Sequence, residues 1–340
     1  MTVKEVFELR KQGKIEEAYE AIRPMYAVHQ GKYTTLCMFW TASDILKKRI
    51  EEKRIEEAEN IFKALLRVQP NIEDKDGKAQ TAMMHHALRL SEVSAKFRML
   101  DFVESLPVET LTDADWQGLT PGSMSNDAPA SGLPPKGEGN KYPLPSTAQR
   151  LLTRAFHEIQ VQMYGDFITR KAPLTHEEVV TSCLKVMPLL QEAMRRNPRD
   201  KHNQRYMAIV YTIMGEHGKA VDIYRQLLAR HHDSYLFAEL AELTTEPGPK
   251  AALLCRAIQN QRQEKFCTGY RLGLARLLLG RDNARAAYEL QKCVATRKAL
   301  GYHITHDINQ MLTQLSGIQP VTDAQQRDFY HRMTEKYPIC

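Results

Sequence analysis

The sequence predicts an all-α protein, an α-solenoid of antiparallel helix pairs interrupted by one long Gly/Pro-rich loop. Three observations lead to this prediction. Apolar residues recur at steps of three and four, small residues and glycines recur at intervals near 34 residues, and segment 117–147 holds eleven glycines and prolines. The 340 residues are 43% hydrophobic and 26% charged, which is typical of a folded protein and excludes wholesale disorder.

The N-terminal region, residues 1–116, contains two stretches that have the pattern of second helices of a pair. One runs from Gly13 through Ala18, and the other from Ile55 through Phe62 with Pro70 following. Within 54–68 the apolar residues fall on one helical face and the acidic residues on the other, which predicts an amphipathic helix packed on its neighbours.

Segment 117–147 cannot continue a helix, because proline and glycine oppose helical backbone. We therefore expect three regions: 1–116, a loop or linker at 117–147, and a second helical region at 148–340. The loop is expected to be mobile and to be cut first by protease. The alternative is an extended arm docked along the basic C-terminal half, with four side chains as its only obvious anchors: Trp116, Leu119, Tyr142 and Leu144.

In the C-terminal region, Thr175 and Glu178 form a capping-box pattern that predicts the start of a helix over 177–196, and Pro198 ends it. Pro188 lies inside this helix and is expected to kink or split it. The apolar face is predicted to include Leu184. A second capping box begins at Thr322 and predicts a last helix reaching Lys336.

The stretch 203–232, NQRYMAIVYTIMGEHGKAVDIYRQLLARHH, has small residues at Ala208 and Ala220 and a turn glycine at Gly215. Pro198 and His232 lie one 34-residue period apart. On these residues the chain resembles the tetratricopeptide repeat (TPR) superfamily, although Lys53 stands where a turn glycine is usual. The resemblance implies a right-handed superhelix whose first helices line a concave surface that binds peptides or proteins without catalysis.

The formal net charge of +6 is unevenly distributed: 195–305 holds 19 Lys and Arg against 10 Asp and Glu, whereas 101–147 is acidic. A basic array attracts acidic peptides or phosphate backbones. Two functions follow. The first is a non-catalytic protein- or peptide-binding scaffold or adaptor. The alternative is a nucleic-acid-associated accessory protein, since the block beginning HHDSYLFAELAEL resembles accessory repeat proteins of bacterial conflict systems.

No motif indicates catalysis, a cofactor or a metal. The six cysteines are scattered without a C-x-x-C pair, and the histidine doublets lack converging ligands. The chain has no apolar run of about 18 residues and no apolar segment at its start. These features predict a cytoplasmic protein with reduced thiols and no membrane partner.

The predicted register places a mixed cationic and aromatic set on the concave face of the C-terminal pairs. Such a groove could hold an acidic peptide through guanidinium contacts, or single-stranded nucleic acid through phosphate contacts and stacking. The arginines could instead form salt bridges between repeats. The candidate partner-binding residues are His202, Arg205, Tyr235, Glu239, Tyr270 and Leu274.

Overall fold

The computed structural model describes residues 1–118, 145–165 and 172–339. Within these ranges the regular structure is helical, with short 3-10 turns and no strand, so the predicted fold class is confirmed. Leu119, Tyr142, Leu144 and most of the 117–147 loop lie outside the described residues. The helices are α1 (Val3–Lys11), α2 (Ile15–Val28), α3 (Lys32–Glu51), α4 (Ile55–Val68), α5 (Lys78–Val93), α6 (Met99–Glu104), α7 (Asp113–Trp116), α8 (Thr147–Tyr164), α9 (His176–Arg196), α10 (Lys201–Ile213), α11 (His217–Leu228), α12 (Ser234–Leu243), α13 (Pro247–Asn260), α14 (Thr268–Leu278), α15 (Asn283–Ala299), α16 (His306–Gln314) and α17 (Asp323–Lys336).

The chain forms two compact units, Met1–Pro198 and Arg199–Cys340. The sequence-based division at 117–147 differs from this one, because α8 and α9 follow that segment and yet pack on α5 and α6, which precede it. Pro198, which follows α9, is the last residue of the first unit.

In the first unit, successive helices pack as neighbours from α1 to α5. The two predicted second helices are α2 and α4, and their small residues Ala18 and Ala58 are fully buried. Gly13 and Lys53 both have left-handed backbone, with φ of 75° and 59°, at the turns that precede these helices. Lys53 therefore takes the conformation that a turn glycine would take, at a cost in backbone strain.

A nearly buried arginine ties three helices of the first unit together. Arg49 of α3 donates through both terminal nitrogens to Glu16 of α2, at 2.5 and 2.7 Å, and through Nε to Glu57 of α4 at 3.1 Å. The bond to Arg49 holds the pKa of Glu16 down, to about 2. Helix contacts in this unit thus combine apolar packing with a shared ion pair.

The second unit contains three consecutive helix pairs: α10 with α11, α12 with α13, and α14 with α15. Their first helices begin at Lys201, Ser234 and Thr268, which are 33 and 34 residues apart. The eighth residue of each first helix is an alanine, and Ala208, Ala241 and Ala275 are all fully buried. Small residues at one repeated position let the helices approach closely, as the TPR-like pattern requires.

The last helix, α17, packs on α13 and is held by a buried polar network. Glu289 of α15 is fully buried and accepts from Arg271 Nη1 at 2.7 Å, from Gln326 Nε2 at 2.6 Å and from the Tyr330 hydroxyl. Burial raises the pKa of Glu289, and these donors oppose the rise. The polar contacts fix where α17 lies on the second helices.

Both predicted capping boxes are present, at Thr175 and at Thr322. Two details of the α9 prediction need comment. The helix continues unbroken through Pro188 to Arg196, so the proline does not split it, and a kink at Pro188 stays a prediction. Leu184 is 54% exposed, because the buried stripe runs instead through neighbouring positions such as Cys183 and Val186.

Candidate partner-binding surface

The first helices of the second unit share one surface, here called the first-helix face. It is defined by His202, Arg205, Tyr235, Glu239, Gly269 and Tyr270. His202, Tyr235 and Gly269 are each the second residue of their helix. His202 and Gly269 are exposed, and Tyr235 is partly buried. A Cβ at Gly269 would meet no atom within 4 Å, so the face has open space above α14.

An ion pair bridges α10 and α12 at the centre of this face. Arg205 Nε lies 3.0 Å from both carboxylate oxygens of Glu239, and Nη2 lies 2.5 Å from Oε1. The two side chains are 18% and 25% exposed. Water is therefore largely excluded from the pair, and the two helices are fixed in register by a planar, two-pronged contact.

Aromatic rings lie beside this ion pair. The Arg205 guanidinium lies 4.7 Å from the centroid of the Tyr235 ring, and the Lys201 ammonium lies 5.9 Å from it. Lys201 also donates to Asp233 at 3.0 Å. Desolvation by burial raises the pKa of Tyr235, so the phenol stays neutral and donates or accepts hydrogen bonds.

The next first helix joins the same cluster through Ser234. The side chain of Tyr270 is hydrogen-bonded to Ser234, and Gln261 Nε2 donates to the Ser234 hydroxyl at 3.0 Å. Burial raises the pKa of Tyr270 as well. Partial desolvation lowers the pKa of His202, and the neighbouring cations Lys201 and Arg205 act in the same direction.

The structure thus brings Arg205, Tyr235, Glu239 and Tyr270 together, with His202 beside them. Leu274 does not reach this face: it is fully buried in the core. It is the seventh residue of α14, the core position that Met207 and Leu240 occupy in the two preceding first helices. The predicted register was one position late in α14, which turns a side chain by about 100°. In α14 the residues equivalent to Tyr235 and Glu239 of α12 are Gly269 and Gly273.

A polar cleft of about 530 Å³ adjoins Tyr235, between the loop that follows α11 and the loop that follows α13. Sequence reasoning missed this cleft, although both loops carry an arginine near the start of the next first helix. The lining residues are Arg230, His231, His232, Asp233, Ser234, Tyr235, Asn260, Gln261, Arg262 and Gln263.

Groups that resemble catalytic or metal-binding residues are enclosed or dispersed. His86 Nε2 lies 2.6 Å from the Ser43 hydroxyl, but the two residues are 1% exposed, and burial lowers the pKa of His86 to about 3. Burial likewise raises the pKa of the Cys183 thiol, to about 12. Among the described residues no group of three or more His, Cys, Asp or Glu side chains could hold a metal.

Comparison with known proteins gives a match to one family model over part of the chain and a weak likeness to a solved structure. Residues 203–336 match a family described as Domain of unknown function (DUF7017), and this stretch runs from the third residue of α10 to the end of α17. No curated protein matches the chain. A solved tetratricopeptide repeat protein from Parabacteroides merdae ATCC 43184 is similar over 92% of this chain and 96% of its own, at 11% identity and a TM-score of 0.36. No helix in the described part of the chain is long and apolar enough to cross a membrane.

Proposed function

We propose that the chain is a non-catalytic scaffold that binds a protein or peptide partner on the first-helix face of its second unit. The fold supplies three first helices in register, so that one partner segment can contact all three at once. The face offers mixed chemistry, with ring surface, hydrogen-bonding groups and the exposed imidazole of His202. Such sets recur in surfaces that recognise peptides.

The observation that carries the proposal is the glycine pair on α14. Gly269 and Gly273 stand where α10 and α12 carry large side chains. Glycine in the middle of a helix, where Gly273 stands, destabilises it by roughly 0.5–1 kcal/mol relative to alanine. Gly273 has a packing reason, because a Cβ there would lie 3.3 Å from Leu254 Cδ1. Gly269 has no such neighbour, and the space above it is available to a partner.

The bridge between Arg205 and Glu239 changes the role assigned to Arg205. Its guanidinium is already satisfied by an internal carboxylate and therefore positions α10 and α12. We propose that the partner contacts the surface around the bridge, at His202, Tyr235, Gly269 and Tyr270, and does not replace Glu239.

The test fills the space above Gly269. Gly269→Tyr adds bulk at the second residue of α14 without removing any contact from the fold. Gly218→Tyr is the matched control, because Gly218 is the second residue of α11, a second helix, and also has no atom within 4 Å of a Cβ. Partners captured from the native cell by the full chain are identified by mass spectrometry.

We expect Gly269→Tyr to lose a defined partner that the control still captures, with equal melting temperatures. If Gly269→Tyr still captures the partner and Gly218→Tyr does not, the binding site lies on the second helices instead. Nucleic acid as the captured species would replace the scaffold proposal by the accessory-protein alternative.

A further inference from the structure

The cleft beside Tyr235, between the loops at 229–233 and 260–263, carries positive charge that the fold leaves uncompensated. Arg230 and Arg262 are exposed, and neither has a carboxylate partner among the described residues. Arg230 makes only a 3.5 Å contact from Nε to the carbonyl oxygen of Gln226. Other arginines of the unit are of both kinds: Arg205 and Arg271 are paired with carboxylates, whereas the exposed Arg225 and Arg281 have no such pair among the described residues. Arg230 and Arg262 differ from these two in that both line one cleft.

The acidic groups near the cleft are already engaged. Asp233, which lines it, accepts from Lys201 Nζ at 3.0 Å. Glu264, which follows Gln263, accepts from Arg271 at 2.5 and 3.0 Å. Among the described residues, Asp233 is the one anion that lines this volume, and it is paired with Lys201, so the two guanidinium groups have no carboxylate partner there. Charge complementarity therefore favours an anionic ligand.

The remaining lining residues supply further polar groups. Gln263 contributes a side-chain amide, as does Asn260, whose Nδ2 also donates to the Arg256 carbonyl at 2.9 Å, and His231 and His232 contribute ring nitrogens around the same volume. A carboxylate needs several converging N–H donors, and a planar guanidinium matches both of its oxygens. The cleft thus combines cationic forks with amide donors at one end of the first-helix face.

We propose that this cleft binds the carboxylates of an acidic segment of the partner, a stretch rich in Asp and Glu. The inference rests on the proposed partner-binding function and names the chemistry of the partner. The partner's remaining residues extend from Tyr235 along the first-helix face. The cleft then acts as the anchor that sets the direction in which the segment runs.

Single-stranded nucleic acid is the less suitable occupant, because binding of that kind uses open aromatic faces for base stacking. The Tyr235 ring carries the Arg205 guanidinium at 4.7 Å, and it packs partly against the core. The His232 ring is stacked on Phe237, with centroids 6.4 Å apart and planes 10° apart. The aromatic rings that line the cleft are therefore already in contact with the fold.

The experiment measures binding of fluorescein-labelled peptides to the full chain by fluorescence anisotropy. The probe alternates Glu and Gly, a second peptide has Gln in place of Glu, and a third probe is oligothymidylate of matched charge. The cleft variant is Arg230→Gln with Arg262→Gln. The control, Arg225→Gln with Arg281→Gln, removes the same charge from two exposed arginines of the same unit that lie outside the cleft.

We expect the Glu peptide to bind and the Gln peptide not to bind. The cleft variant is expected to lower the affinity for the Glu peptide at least about tenfold, and the control variant is expected to change that affinity less than about twofold. Equal weakening by both variants would indicate general charge attraction and overturn the proposal, as would no saturable binding of the Glu peptide. Tighter binding of oligothymidylate, lost in the cleft variant, would assign the cleft to nucleic acid.

Two further arms complete the experiment. Arg230→Gln and Arg262→Gln are also measured singly, and circular dichroism checks the helix content of every variant. If the double variant folds poorly, the two single variants still test the proposal. Gly269→Tyr separates the two proposals: if it still captures the partner while the cleft variant loses the Glu peptide, the cleft stands and the first-helix face falls. If Gly269→Tyr loses the partner and the cleft variant still binds the Glu peptide as tightly as the wild type, the first-helix face stands and the cleft falls.

Discussion

Arg205 of α10 and Glu239 of α12 form a two-pronged ion pair between adjacent repeats, with the guanidinium Nε 3.0 Å from both carboxylate oxygens. The pair is mostly withdrawn from water, at 18% and 25% side-chain exposure. Removing one partner leaves the other charge partly desolvated and unpaired. The bridge is thus a structural element of the surface on which we place the partner.

Glu239→Gln is therefore expected to lower the free energy of unfolding by about 1–2 kcal/mol, between the values typical of exposed and buried pairs. Urea unfolding followed by circular dichroism measures the change. Arg205→Met with Glu239→Leu removes both charges and should recover most of the loss. Arg205→Met and Glu239→Leu are also measured singly, and a double variant as unstable as the sum of these two would show that the residues do not act as a pair.

Ala220→Leu is expected to lower the free energy of unfolding by about 1–3 kcal/mol, because the added atoms overpack a helix contact. Ala220 is fully buried in α11. Gly218→Ala on the same helix is the control and should be neutral or stabilise by at most about 1 kcal/mol, since its Cβ enters open space. An unchanged melting temperature for Ala220→Leu would contradict the assigned helix crossing.

Lys53→Gly is expected to stabilise the first unit by up to about 1 kcal/mol, because glycine adopts φ near 59° without the clash that Lys53 bears. Thermal unfolding of the full chain checks the gain. Lys53→Ala is the comparison and should give no gain, since alanine keeps the Cβ. A lower melting temperature for Lys53→Gly would mean that the lysine side chain compensates for the strain.

The stability of the first unit is expected to fall on acidification because of His86. Burial lowers the pKa of His86 to about 3, below the ordinary value near 6.5, so the unfolded chain takes up a proton first. The loss begins below pH 6.5, continues toward pH 3 and amounts to about 2 kcal/mol between pH 7 and pH 5. His86→Gln should flatten the profile, whereas His176→Gln, at an exposed position, should not. Identical profiles for wild type and His86→Gln would refute this account.

Features that depend on neighbouring residues in the sequence could be predicted well. The capping boxes at Thr175 and Thr322 and the turn at Gly215 are set by contacts within a few residues, and all three are present. The left-handed backbone at Lys53 follows from the same reasoning, because left-handed residues also precede the second helices α2, α11 and α15, at Gly13, Gly215 and Gly280.

Features that depend on the relative rotation of helices could not be predicted as well. Tyr270 and Leu274 stand 35 residues after Tyr235 and Glu239, whereas α14 begins only 34 residues after α12, so Leu274 was predicted on the surface although it belongs to the core. The partner of Arg205 also required coordinates, because its carboxylate lies one whole repeat away. The cleft could not be predicted from the sequence because its two arginines, Arg230 and Arg262, come from separate loops.

Site-specific photocrosslinking tests the central claim most directly, because it reports which face touches the partner. A photoreactive phenylalanine is placed at position 202 or 269 on the first-helix face, or at 218 or 225 on the second helix α11, in the full chain and in its native cell. We predict that one protein is crosslinked from 202 and 269, through an Asp- and Glu-rich segment, and not from 218 or 225. Crosslinks to that protein from 218 and 225 alone would contradict the assignment of the partner to the first helices.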